Sequence, residues 1–134
     1  MIIRTVAKFE AAHRQLGDES KCGFLHGHNW KVEFFIEGDI VGEVGYIIDF
    51  KIVKTIVSAY DHMVLLHKDD PLVRILQING QRVVDLDVNP TAENLALLIK
   101  GRVEDMMANN DIVYRRVLVR VWENSESYAE VGNL

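Results

Sequence analysis

His26-Gly27-His28-Asn29-Trp30-Lys31-Val32-Glu33-Phe34-Phe35-Ile36-Glu37 is the stretch on which the fold turns. His26, His28, Trp30, Val32, Phe34 and Ile36 fall on one side of an extended chain, while Asn29, Lys31, Glu33 and Glu37 fall on the other. That period of two predicts a half-buried strand. Working back towards the start, Ile3, Thr5, Ala7, Phe9, Ala11 and His13 alternate with Arg4, Lys8 and Glu10, which predicts a second strand of the same kind.

An i, i+2 pair on a strand projects both side chains to one face, so His26 and His28 can reach a single metal ion, with Gly27 leaving the other side uncrowded. His13 ends the apolar face of the first strand. If the two strands pair antiparallel as neighbours, a third imidazole arrives at the same end of the sheet. Three neutral imidazoles suit Zn²⁺, and a fourth position left to water or substrate makes such a site catalytic. Cys22, four residues before His26, leaves a second reading open: a closed structural site in which its sulfur is the fourth ligand. As the only cysteine it has no intrachain disulfide partner.

Downstream, Gly38-Asp39, Gly42 and Gly45 mark turns, and Ile52, Val53, Ile56, Val57 and Tyr60 form a helical stripe behind a candidate N-cap at Asp49. Asn79-Gly80 reads as the turn of a small hairpin between Leu72–Ile78 and Arg82–Leu86. Thr91 caps a second helix with Leu95, Leu98, Ile99, Val103 and Met106 on its apolar face. Val117, Val119 and Val121 predict a third long strand, and Ser127–Val131 a short fourth. The pattern is that of an α+β domain spanning 1–134, with helices on one face of an antiparallel sheet.

The chain has 134 residues and a formal charge of −5, which disfavours an extended track for nucleic acid. No stretch approaches the ~20 apolar residues of a membrane span, and the opening MIIRTVAKFEAAH lacks the layout of a signal peptide, so the expected location is cytoplasmic with no membrane partner.

Phe9-Glu10-Ala11-Ala12-His13, Cys22-Gly23-Phe24-Leu25-His26-Gly27-His28, Asp61-His62, Pro90-Thr91-Ala92-Glu93-Asn94 and Val121-Trp122-Glu123, in that order, resemble the 6-pyruvoyltetrahydropterin synthase family over essentially the whole chain. The resemblance implies that His13, His26 and His28 bind zinc, and that Cys22, Asp61 and His62 move protons. It further implies that Glu123 anchors a pterin ring and that Thr91, Ala92 and Glu93 line its pocket. It implies the tunnelling fold, a four-stranded antiparallel sheet with two helices on one face. Three such sheets close into a barrel, and two rings stack into a homohexamer with active sites between subunits. The barrel interior would then receive the even-position charges Arg4, Lys8 and Glu10 and their counterparts Lys31, Glu33 and Glu37.

The three-residue gap between Cys22 and His26 resembles the 6-carboxytetrahydropterin synthase branch. That branch converts 7,8-dihydroneopterin triphosphate to 6-carboxy-5,6,7,8-tetrahydropterin, releasing acetaldehyde and triphosphate, for tetrahydropterin or deazapurine biosynthesis. A 6-pyruvoyl product formed without loss of acetaldehyde, aldol cleavage of unphosphorylated dihydroneopterin, and a non-catalytic zinc-stabilised module are the alternatives. Lys21, Lys51, Lys54, Arg74 and Arg82 are candidates for the triphosphate. Two departures from the family are the apolar run Met63-Val64-Leu65-Leu66 after His62, and Asn124 after Glu123.

Overall fold

Ile2–His13 forms strand β1 and His26–Glu37 strand β2, antiparallel along their full lengths, with Ile2 opposite Glu37 and His13 opposite His26. The alternating pattern fixes the parity of this register, because a slip of one residue would turn the apolar face of one strand out to water. The computed structural model describes residues 1–134. Beyond β2 lie β5, Arg116–Trp122, and β6, Tyr128–Gly132, both antiparallel to their neighbours.

The first helical stripe becomes α1, Phe50–Lys54, continued as a 3₁₀ turn through Thr55–Ala59. Asp49 caps it, its Oδ1 accepting the Lys51 N–H at 2.9 Å. The last helix, α3, spans Ala92–Asn109, and Thr91 Oγ1 accepts the Asn94 N–H at 3.1 Å. It buries Leu95, Ala96, Ile99, Val103 and Met107, so its inner face is rotated from the expected stripe: Leu98 is exposed and Met106 only half-buried. These residues meet Phe9, Trp30, Val32, Phe34, Val119 and Val121 in one apolar core between sheet and helix. Phe9 and Trp30 stack in parallel across β1 and β2, with centroids 5.8 Å apart.

The expected four-stranded antiparallel sheet with two helices is corrected to a six-stranded mixed sheet with three α-helices, which adds β3, Met63–His67, and β4, Val83–Leu86, in the order β4-β3-β1-β2-β5-β6. Met63–His67 is β3, parallel to β1 with Ala11 opposite Met63 and His13 opposite Leu65. Leu65 and Leu66 are both fully buried, so this strand has two covered faces and no alternation to reveal it. The same burial accounts for the apolar run after His62.

The hairpin expected around Asn79-Gly80 is also corrected: Leu72–Ile78 is helix α2, and Val83–Leu86 is β4, parallel to β3. Gly80, at φ 76°, is the left-handed residue that ends α2. Its N–H reaches the Gln77 carbonyl at 3.0 Å and the Gln81 N–H reaches the Leu76 carbonyl at 2.9 Å, the two bonds of a Schellman motif. Asn-Gly supplies the positive φ that a hairpin turn and a helix end both need, and here the helix end took it.

On the far face of the sheet, Glu33 is buried beneath Arg4 (Nε to Oε2, 2.5 Å) and the Trp122 indole (Nε1 to Oε1, 2.6 Å). Burial pushes its carboxyl up, and the bonds from Trp122 and Arg4 more than offset that, leaving it below the ordinary glutamate range. No helix is long and apolar enough to cross a membrane.

Candidate metal centre

The antiparallel register sets His13 directly opposite His26 and places Ala11 opposite His28, so three imidazoles gather at one end of the β1–β2 pair. Their candidate ligand atoms all lie within 4.8 Å of one another. His13 is 1% exposed, whereas His26 and His28 are half-buried. Trp30 forms the floor, its ring edge-on to His13 at 5.1 Å and to His28 at 5.4 Å, with Nε1 donating to the Ala11 carbonyl at 3.3 Å.

The hydrogen bonds determine which nitrogens face inward. His13 Nδ1 lies 2.7 Å from the Pro90 carbonyl and His26 Nδ1 lies 2.6 Å from the Phe24 carbonyl. A carbonyl accepts only, so both Nδ1 atoms carry the proton, and in the neutral rings both Nε2 atoms are bare lone pairs. Those two Nε2 atoms are 3.1 Å apart, and His28 Nε2 is buried without a hydrogen-bond partner. The two facing lone pairs of His13 and His26 repel one another unless a cation stands between them, and His28 Nε2 is a third buried nitrogen with no partner of its own. Tetrahedral coordination at Zn–N of about 2.0–2.1 Å puts neighbouring nitrogens roughly 3.3 Å apart, close to the spacing found.

Burial lowers the His13 pKa, opposed by the Pro90 carbonyl and aided by the neighbouring His26. Burial likewise lowers that of His28, opposed by Glu123. Both shifts favour the neutral ring, the state a metal ligand requires. A three-imidazole set suits zinc, copper, iron or nickel.

Glu123, one residue past the end of β5, brings Oε1 to 3.5 Å from His28 Nε2, so this carboxylate borders the cluster. Asp61 and His62 do meet one another, Oδ2 to Nδ1 at 3.0 Å. They dock on the edge of β1: Asp61 Oδ1 accepts the Glu10 N–H at 2.9 Å, and the His62 N–H reaches the Glu10 carbonyl at 2.7 Å. His62 takes φ 58° to do so, a left-handed backbone that is uncommon outside glycine. The Glu10 N–H, followed by His62, holds the Asp61 carboxyl below its ordinary pKa. A cleft lined by Glu10, Asn29, His62 and Arg82 runs beside the backbone of Gly27 and His28.

Cys22 is exposed on a one-turn 3₁₀ helix, Lys21–Gly23, capped by Ser20. Its sulfur is not among the converging ligand atoms, and it makes no hydrogen bond to His62 within the chain. Thr91, Ala92 and Glu93 form the cap and first turn of α3; the Thr91 hydroxyl is taken up by the cap and Glu93 is exposed. Of the five basic residues expected near a triphosphate, Arg82 shares a cleft with His62, whereas Lys51 lines a separate apolar groove with Ile40 and Tyr46. The Pro90 carbonyl and the Trp30 floor carry no sequence signature of their role, since one is a backbone atom and the other reads as core.

A mixed sheet with α1 and α3 packed on one face and three convergent imidazoles at its end defines the class: an α+β protein with a candidate cation site. The chain belongs to the 6-pyruvoyl tetrahydropterin synthase family, whose model matches residues 2–133. It is 36% identical to a putative 6-carboxy-5,6,7,8-tetrahydropterin synthase of Archaeoglobus fulgidus, covering 98% of this chain and 95% of that one. It is 35% identical to the 6-carboxy-5,6,7,8-tetrahydropterin synthase of Rickettsia typhi, over 71% and 74% of the two chains. Among solved structures, the fold matches an uncharacterised protein from Wolinella succinogenes (TM-score 0.79, 20% identity, 100% and 98% covered). It also matches the 6-pyruvoyl tetrahydropterin synthase of Plasmodium vivax (TM-score 0.71, 20% identity, 99% and 98% covered).

Proposed function

We propose that this chain is a cytoplasmic, zinc-dependent lyase that converts 7,8-dihydroneopterin triphosphate and water into 6-carboxy-5,6,7,8-tetrahydropterin, acetaldehyde and triphosphate. The observation that carries the zinc reading is the pair of bare Nε2 atoms 3.1 Å apart, both rings being pinned through Nδ1, beside the orphaned Nε2 of His28. The carboxy product is favoured by the relatives of that name and by the three-residue gap between Cys22 and His26.

His13, His26 and His28 would hold the zinc, which when bound supplies a Lewis acid for the side-chain hydroxyls of the substrate. Glu123, beside His28, would accept two hydrogen bonds from the pterin ring, a charge-assisted pairing stronger than neutral ones. Cys22, on its exposed turn, would be the general base that takes a proton from the side chain. Asp61 would hold the proton of His62 on Nδ1, leaving Nε2 to exchange protons with substrate or with the thiol. Arg82 lines the cleft beside His62 and would meet the triphosphate. The first turn of α3, Thr91 to Glu93, would border the ring pocket.

Cys22 makes no bond to His62 within one chain, which supports completion of the proton-transfer group by a second subunit in a homohexamer. Closure of sheets into a ring would also pair the open edges of β4 and β6. Incubating the zinc-loaded protein with 7,8-dihydroneopterin triphosphate should give a product with the mass of 6-carboxytetrahydropterin together with acetaldehyde. A 6-pyruvoyl product would move the assignment to the other branch, and the absence of any product would remove it. Cys22→Ala should lose turnover while keeping bound zinc; loss of zinc instead would mean that the sulfur is a ligand.

A further inference from the structure

We infer that Asn89 is a positioning residue for the centre, deciding which nitrogen of His13 carries the proton; this rests on reading His13, His26 and His28 as a cation site. Asn89 clamps two segments far apart in sequence. Its Oδ1 accepts the Leu16 N–H at 2.9 Å and its Nδ2 donates to the Leu16 carbonyl at 3.0 Å. Its own carbonyl accepts the Asn94 Nδ2 at 2.9 Å and the Thr91 N–H at 2.9 Å, which fixes it to the start of α3. The clamp grips the chain three residues past His13 on one side and one residue before Pro90 on the other.

The group so trapped is the buried Pro90 carbonyl, the acceptor for His13 Nδ1 at 2.7 Å. Proline has a fixed φ and no N–H of its own, so the direction of its carbonyl is set by the residues that flank it. While that carbonyl stays in place, the proton of the neutral ring stays on Nδ1 and the lone pair on Nε2 points at His26. If it drifts, the proton can move to Nε2, where it fills the ligand position and His13 can no longer coordinate. Partners that orient a ligating histidine typically account for 10–100-fold in metal affinity.

The full chain, labelled with ¹⁵N and freed of metal, is examined at pH 8 by long-range ¹H–¹⁵N correlation of its histidine rings. Zinc affinity is measured in parallel by competition with a chromophoric chelator. The wild type should show His13 as the Nδ1–H tautomer. Asn89→Ala should mix the tautomers and weaken zinc by 10–100-fold. Asn89→Asp, which keeps the acceptor for Leu16 and loses the donor, should fall between. An unchanged His13 tautomer with unchanged zinc affinity in Asn89→Ala, even with a lower melting temperature, would show Asn89 to be a structural clamp only and overturn the inference. If Asn89→Ala does not fold, Asn94→Ala removes one bond to the same carbonyl; it should shift the tautomer in the same direction, and no shift would likewise overturn the inference. A wild type that binds no zinc sinks the cation reading, and the metal-free tautomer comparison still decides the role of Asn89.

Discussion

Replacing His26 by alanine separates a metal centre from three histidines that merely pack together. With both rings carrying a single proton, on Nδ1, the Nε2 atoms of His13 and His26 face one another at 3.1 Å as bare lone pairs, a repulsive contact. His26 is half-exposed and its remaining bond is to the Phe24 carbonyl at the surface, so His26→Ala removes little packing and relieves that repulsion. The metal-free variant should therefore melt within about 2 °C of the wild type or slightly above it. Zinc at a thousandfold excess over its dissociation constant stabilises the wild type by about 4.1 kcal/mol through binding the folded state alone. Unfolding entropy of ~2.1 cal/mol/K per residue over 134 residues converts this to a rise of about 15 °C. With only His13 and His28 left, the rise at the same zinc concentration should shrink to a few degrees. The assay is thermal melting of chelator-treated protein with and without zinc. A wild type whose melting temperature ignores zinc, or a variant that gains as much as the wild type, would refute the lone-pair reasoning.

Three further outcomes test other parts of the structure. Asp70 is buried and takes Arg14 Nε at 2.7 Å, while its Oδ1 also caps Leu72 N–H at 2.8 Å, so Asp70→Asn should cost about 2–4 kcal/mol by denaturant melting. That is less than a sealed pair would lose, because the Arg14 side chain is 26% exposed. The hydrogen bond from Arg14 holds the Asp70 carboxyl below its ordinary pKa, so the unfolded state binds more protons near pH 4. This contribution is complete above the unfolded pKa of about 3.9 and is lost as the pH falls through the folded one, and the acid limb should flatten in Asp70→Asn. Gly23→Ala would bring a Cβ to 2.0 Å from the Asp18 carbonyl oxygen, displacing the turn that carries Cys22; turnover should fall at least tenfold while zinc content is unchanged. Gly101 lies inside α3 with nothing within 4 Å of an added Cβ, so Gly101→Ala should stabilise by about 0.5–1 kcal/mol with unchanged turnover.

Much of the molecule can be read from residue order because its information is local. The alternation along β1 and β2 predicts two half-buried strands, and the antiparallel neighbouring pairing on which the meeting of His13 with His26 depends is the one found. The caps Asp49 and Thr91 are single side chains acting on N–H groups two and three residues ahead. Glu123 continues the period of the Val117, Val119, Val121 face and indeed arrives beside His28. What escaped were elements whose cues are shared or absent. Leu65 and Leu66 point to opposite covered faces and leave no period, and Asn79-Gly80 serves a helix end as readily as a hairpin.

The sequence by itself determined that His26 and His28 share one face, since strand geometry alone sends alternate side chains to one side. Only the tertiary structure decided that His13 joins them and which nitrogens of His13 and His26 meet a carbonyl. It brought two carbonyls, from Phe24 and from Pro90, onto Nδ1 of His26 and His13 and so turned both lone pairs inward. The Pro90 contact spans 77 residues, and the direction of a backbone carbonyl depends on how distant segments pack rather than on the identity of the residue that bears it.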